Sequence, residues 1–326
     1  MAVARVIGED FHALFETPDV VKPFLYRIVH PDEEELIRYL GKTPKTAADT
    51  VSHFGISEEA GVGRLADAYH RAVINKSRED PSRYVAGNLY TRLGYFTQYE
   101  PEVWQDIHTE DRRRIDDWYI DEFTRRLKES IDQEKEHFFR DTVLPIRQAR
   151  EKIEEIGKTL DKPFYIVPCN CRTTTKGCHF SIDTCIANNY NINGQWDRGH
   201  GRQVTVDEVK ELLDACDREG LMHTVAPNGH ICNCETCCCY EFRGALKLGT
   251  KGLYPRVEYI AQFDESLCIN CGKCAARCHF NAFQKVSPKK VAFHPELCWG
   301  CGICECTCPK KAITIVPLNT GGAEAV

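Results

Sequence analysis

Nineteen cysteines lie between Cys169 and Cys308, and none precedes them. Cys268, Cys271, Cys274 and Cys278 follow the spacing C-x2-C-x2-C-x3-C, and Cys298, Cys301, Cys304 and Cys308 repeat it thirty residues further on. Runs of this kind supply thiolates to iron–sulfur cubanes, the fourth cysteine of each run reaching the other cube. Three close cysteines wrap one corner, and the following turn carries the fourth away. The spacing therefore assigns Cys268, Cys271, Cys274 and Cys308 to one [4Fe–4S] cluster, and Cys298, Cys301, Cys304 and Cys278 to another. Structural zinc sites more often use two separated CxxC pairs. Gly272, Gly300 and Gly302 lie between these cysteines, where a missing Cβ lets backbone amides approach the sulfides and tune the potential.

This stretch, about 258–318, resembles the bacterial two-cluster ferredoxin domain, down to Pro309 after the last cysteine and the strand-like "AITIV" behind it. It departs at His279, where the family has proline after the fourth cysteine of the first run. That bears on the tuning of the second cluster, not on its presence. Cys306 is surplus to the pattern and is expected to be a small buried thiol.

A second cysteine-rich block precedes the repeat. Cys169, Cys171, Cys178 and Cys185 are spaced C-x-C-x6-C-x6-C, and "CNCETCCCY" sets Cys232, Cys234, Cys237, Cys238 and Cys239 within eight residues. Adjacent cysteines rarely meet disulfide geometry. A long chain with an odd number of cysteines and no export signal does not read as a secreted disulfide framework. Dense thiols then mean metal. In one arrangement the first four cysteines hold one cluster and four of the later five another. In the other, ligands are exchanged between the loops; adjacent cysteines point different ways, which favours this sharing. One or two further iron–sulfur clusters are expected here, with zinc as the rival metal. The "CNCR" and "ICNC…CCC" loops resemble those of multi-cluster ferredoxin-like proteins of anaerobic microbes over about 145–318, which implies electron transfer. Cys216, inside "TVDEVKELLDACDREG", is expected in a core. His200, Arg202 and His230 flank the cysteine loops as candidate proton donor or anion clamp.

The elements that must position these residues read as an α+β fold. Residues 1–144 are mainly helical and winged-helix-like, a docking domain; 145–257 form a cysteine-rich α/β segment; 258–326 form the two-cluster domain. "FYIV" reads as a strand ending at Pro168, and Thr205 with Glu208 as a capping box opening a helix that Gly220 closes. In the N-terminal half, Ser57 to Ile74 takes the place of a recognition helix, yet its bases are chiefly Arg64 and Arg71, too few for a DNA reader. "SRYVAGNLYTRLGYF" reads as a β-wing. Residues 109–145 carry Trp118, Ile120, Phe123, Leu127 and Ile131 at helical intervals, with Arg112 to Arg114 on a solvated face and Pro145 as a break.

The 326 residues are 42% apolar and 28% charged, with a formal net charge of −6, which is ordinary for a globular protein and argues against a generic nucleic-acid surface. No apolar run reaches membrane-spanning length, and the start lacks a signal-peptide core, so a cytoplasmic location is expected. Phosphate-cradling glycine motifs for ATP, NAD or flavin are absent. The expected function is iron–sulfur electron transfer, as a subunit or dedicated redox partner of a larger anaerobic oxidoreductase. The alternative is a reductase whose middle-segment cluster meets substrate; third is a redox-responsive DNA-binding regulator.

Overall fold

A computed structural model describes residues 7–133, 141–175 and 177–318. Helices and strands mix in an α+β fold. The helices are α1 (Glu9–Leu14), α2 (Leu25–Ile28), α3 (Pro31–Leu40), α4 (Ala47–Phe54), α5 (Glu58–His70), α6 (Leu89–Tyr99), α7 (Pro101–Gln105), α8 (Thr109–Asp132), α9 (Ile146–Gly157), α10 (Asn170–Thr175), α11 (Val206–Glu219), α12 (Tyr240–Leu248) and α13 (Lys273–Arg277). The strands are β1 (Lys45–Thr46), β2 (Ile74–Lys76), β3 (Arg83–Ala86), β4 (Thr142–Leu144), β5 (Phe164–Val167), β6 (Cys185–Ala187), β7 (Arg202–Val204), β8 (Met222–Val225), β9 (Ile231–Cys234), β10 (Arg256–Val257), β11 (Tyr259–Phe263), β12 (Phe283–Ser287), β13 (Lys290–Phe293) and β14 (Ile313–Pro317). Residues 134–140, part of the segment read as a helix from 109, lie outside the described residues.

The chain divides into two compact units: Met1–Tyr119 with Pro168–Lys176 and Asn189–Gly201, and the remainder. In the first unit the elements run α3-β1-α4-α5-β2-β3, and the three strands form an antiparallel sheet of order β1-β3-β2. Each helix start is fixed locally. The Thr46 hydroxyl accepts the Asp49 N–H (3.1 Å), and the Ser57 hydroxyl accepts that of Ala60 (3.3 Å). The wing stops sooner than the sequence suggests: "RYVA" is strand, but "LYTRLGYFTQY" is helix α6. The Asn88 side chain caps that helix by accepting the Thr91 N–H (2.9 Å), and Leu89, Leu93 and Phe96 bury one face. A local Asn cap thus overrides the aromatic, strand-like composition of the segment.

The second unit centres on a seven-stranded sheet of order β10-β4-β8-β9-β6-β5-β7. One face is apolar: Leu144, Ile186, Val204, Val225 and Ile231 meet Ala149 and Ile153 of α9 and Val209 and Leu213 of α11. The capping box at Thr205 and the left-handed Gly220 (φ 102°) delimit α11 as its sequence implies. On the other face Val143, Met222 and Cys234 meet Phe242 and Ala245 of α12 together with Trp299 and Ile303. The alternation of β9 decides which side chains go where. Ile231 joins the first core, and Cys232 and Cys234 both belong with the second. Beyond the sheet, β11 pairs with β14 and β12 with β13, framing the repeated cysteine runs.

Candidate metal centre

The thirty-residue repeat is written into the backbone. Asn270 N–H donates to Cys268 Sγ (3.3 Å), and Gly300 N–H to Cys298 Sγ (3.4 Å). Ala282 N–H donates to Cys278 Sγ (3.2 Å), and Ala312 N–H to Cys308 Sγ (3.3 Å). The left-handed residues repeat with the same offset: Asn270 and Gly300 at φ 55° and 64°, Gly272 and Gly302 at 79° and 82°, Asn281 and Lys311 at 55° and 51°. Amide donation to sulfur stabilises a thiolate and, in a cluster site, raises its potential.

Cys268, Cys271, Cys274 and Cys308 line one cavity, closed by Phe263, Val291 and Ile313. Around the second run, burial pushes the Cys301 thiol up to about 12, helped by Cys298 and Cys278; Cys304 is raised by burial and then by Cys301, Cys298 and Cys278. Burial likewise lifts Cys274 to about 11. Thiols packed this closely in apolar surroundings become thiolates only beside a compensating cation, which is the demand an iron–sulfur core meets.

The middle segment gathers two thiol sets. In the first, Cys232 touches Cys185 and Cys234, and Cys234 touches Cys239. The antiparallel β6–β9 pairing, with Ile186 opposite Ile231, brings Cys185 near Cys232 on the face away from the α9–α11 core. Buried Glu241 borders this set: its carboxylate lies within 4.8 Å of both Cys232 and Cys234 sulfurs and accepts the Thr224 hydroxyl (3.0 Å). Burial and the nearby Cys232 push Asp141 up to about 6. In the second set, Cys178 stands with Cys237, Cys238 and Glu235. Cys178 and Cys185 thus go to different sets, each with partners from the later loop. Cys169 and Cys171 belong to the first unit, at the start of α10.

Other candidates fall elsewhere. His200 lies in the first unit, sandwiched between Tyr99 (3.8 Å) and His70 (4.0 Å), and its Nε2–H donates to the His70 carbonyl (2.8 Å). Arg202 is exposed and pairs with Glu208 (3.2 Å). His230 does reach a thiol, with its Nε2 3.4 Å from Cys232 Sγ. Cys216 is buried as expected, but Cys306 is exposed, a correction to its reading as a core thiol. It sits in the turn between Cys304 and Cys308, and its thiol donates to the Ile303 carbonyl (3.5 Å).

His279, the departure from the ferredoxin pattern, has a structural role. Its Nε2–H donates to the Gly220 carbonyl at the end of α11 (2.8 Å), and its own carbonyl accepts the Thr236 hydroxyl (3.4 Å) from the five-cysteine loop. Phe280 beside it stacks on Trp299 (4.6 Å, 11°), and Phe242 meets both rings edge-on at 5.6 Å. No spacing motif reveals this contact; the only sequence signal is the missing proline.

This geometry defines a ferredoxin-like iron–sulfur domain in the C-terminal region. Residues 267–312 match the family model of the 4Fe-4S dicluster domain. Comparison with curated proteins and with solved structures gave no match.

Proposed function

We propose that the chain is a multi-centre iron–sulfur electron carrier, a subunit or dedicated redox partner of a larger oxidoreductase of anaerobic metabolism. Cys268, Cys271, Cys274 and Cys308 would hold one [4Fe–4S] cluster and Cys278, Cys298, Cys301 and Cys304 the other, the crossed pairing of the bacterial two-cluster type. Cys185, Cys232, Cys234 and Cys239 would hold a third. When bound, such clusters supply reversible one-electron storage. The chain's own residues bind through sulfur, donate amides to it, and exclude water.

The observation that carries this reading is the shared apolar cluster in the second unit. Cys234 and Cys239 of the middle set lie in the same packed group as Trp299, Ile303 and Cys301 of the ferredoxin-like set. Centres whose ligands share one dry core are close enough to exchange electrons and are shielded from solvent. No helix among the described residues is long and apolar enough to cross a membrane, and thiol ligation suits a reducing cytoplasm. A DNA-binding role is disfavoured by the commitments of the bases in and just after α5. Arg71 pairs with Glu33 (2.6 Å) and Glu100 (2.7 Å), and Arg64 with the Asp32 carbonyl and Glu35.

Iron and acid-labile sulfide in anaerobically purified protein test the reading. About eight of each are expected from the ferredoxin-like runs alone and about twelve with the middle set. Reduction should give paramagnetic signals broadened by mutual interaction. Protein lacking sulfide after reconstitution under argon would overturn the proposal.

A further inference from the structure

The second middle set brings four ligand atoms together, where the first brings together those of Cys232, Cys234 and Glu241. Its members are Cys178, Glu235, Cys237 and Cys238, and one ligand atom from each lies within 4.8 Å of all the others. Tetrahedral coordination with bonds of roughly 2.0–2.3 Å places ligand atoms roughly 3.3–3.8 Å apart, so a small inward movement closes this set on a single ion. In the other set Cys185 stands against Cys232 and Cys239 against Cys234.

Glu235 is the residue that carries the argument. It is only 1% exposed. The chain turns back over its carboxylate, which accepts the N–H groups of Cys237 and Cys238 (the latter 3.2 Å) and the Cys238 thiol. A carboxylate taken this far from water needs strong donors or a cation. Three sulfurs gathered at the same point are themselves costly as thiolates without one. The turn "ETCC" gathers the buried carboxylate and buried Cys238 with the exposed Cys237, and Cys178 arrives from the separate loop after Gly177. Three soft sulfurs exclude magnesium and calcium, which require oxygen ligands. A carboxylate among them disfavours copper(I), which selects sulfur throughout. A closed set of four protein ligands drawn from cysteine and carboxylate is the chemistry of structural zinc.

We propose that Cys178, Cys237, Cys238 and Glu235 bind one zinc ion, with Glu235 as its oxygen ligand, tying the Cys178 loop to the five-cysteine loop. The site is separate from the iron–sulfur positions proposed above and removes these three cysteines from the ligands available to a further cluster.

The test uses the full-length protein purified anaerobically and analysed for zinc, iron and sulfide, with X-ray absorption at the zinc edge. One zinc per chain is expected, with a first shell of three sulfurs at about 2.3 Å and one oxygen at about 2.0 Å. Glu235→Cys should keep the zinc with four sulfurs around it. Glu235→Ala should lower zinc content at least about fivefold and leave iron and sulfide unchanged. A four-sulfur shell in the unsubstituted protein, zinc well below one per chain, or loss of iron instead of zinc in Cys238→Ser would each overturn the assignment. Absence of sulfide from the unsubstituted protein would instead count against the electron-carrier reading alone.

Discussion

At the scale of single residues, the repeat shows how one backbone solution is reached with different side chains. Asn270 and Gly300 occupy equivalent left-handed positions, but only the second is obliged to be glycine. A Cβ on Gly300 would lie 2.1 Å from the Tyr259 carbonyl oxygen, a contact no flexible side chain can relieve. Asparagine tolerates the left-handed region, so the first copy could use one and gain a side-chain acceptor for the Val291 N–H (2.9 Å). Cysteine spacing was legible in the sequence because all eight candidate ligands lie in two short runs. His200 was legible as a residue but not in its role, since its stacking partners Tyr99 and His70 come from distant positions. Burial first, then the electrostatic influence of His70, Arg198 and Arg92, push it down to about 4, against a bond to the His70 carbonyl that raises it. A histidine held neutral in the folded state takes up its proton on unfolding. Its contribution is therefore complete above the unfolded value of about 6.5 and is lost as pH falls towards 4. Between pH 6.5 and 5 this amounts to roughly 2 kcal/mol. Urea denaturation at the two pH values should show that loss in the unsubstituted protein and a smaller one in His200→Gln; equal losses would assign the pH dependence to other groups.

At the scale of elements, the pairing of the middle cysteines was hidden because "CNC" reads as a loop when its neighbours are dense in thiols. It is the end of strand β9, and two-residue alternation alone sends Cys232 and Cys234 to one face while Ile231 enters the core on the other. Helix α11 was readable from its caps, whereas α6 was not, because Asn88 had to outweigh a run of tyrosine, threonine and phenylalanine. The expectation of ligand exchange between the loops rested only on the divergence of adjacent cysteines. The sheet supplies a physical route, since β6 and β9 are neighbours. His279 then joins elements that the sequence treats as separate modules. Replacing it by proline, as in the ferredoxin pattern, or by alanine removes one hydrogen bond, worth about 1 kcal/mol. Amide exchange across residues 232–239 should then quicken roughly five- to tenfold while iron content holds. Unchanged exchange in both variants would mean that the Phe242, Phe280 and Trp299 packing suffices to hold the loop.

At the scale of the whole molecule, the two units are built from different materials, and this predicts how each responds to metal loss. The first unit has an ordinary core in which Phe11, Phe15, Leu25, Ile28, Leu36, Ile37 and Leu40 are fully buried. It is braced by Arg92, which is inaccessible and donates to the Ile28 carbonyl (2.9 and 3.0 Å), the Arg71 carbonyl (3.0 Å) and Glu100 (2.6 Å). These contacts involve no sulfur, although buried Cys169 lies in the same unit. The ferredoxin-like core is assembled around thiols: Cys274, Cys298 and Cys304 stand among Ala261, Phe283, Val291, Ile313 and Ile315, with Cys268, Cys278 and Cys308 packed against them. A segment this short buries too little apolar surface to hold its thiols together unaided, and small domains of that kind depend on metal for their folding free energy. Without it, the burial that lifts Cys301 to about 12 leaves neutral thiols with no bond to one another. Anaerobic removal of metal with a strong chelator should therefore abolish amide protection over residues 259–318, sparing residues 9–119. The sheet strands β4, β5 and β8, which rest on the aliphatic core beneath α9 and α11, should stay protected, whereas β9 and α12 should weaken because their outer face packs on Trp299 and Ile303. Hydrogen exchange read by mass spectrometry separates these segments in one experiment. Uniform loss of protection throughout the chain would show that metal holds the entire molecule, and uniform retention would show that the thiol-rich core folds without any ion at all.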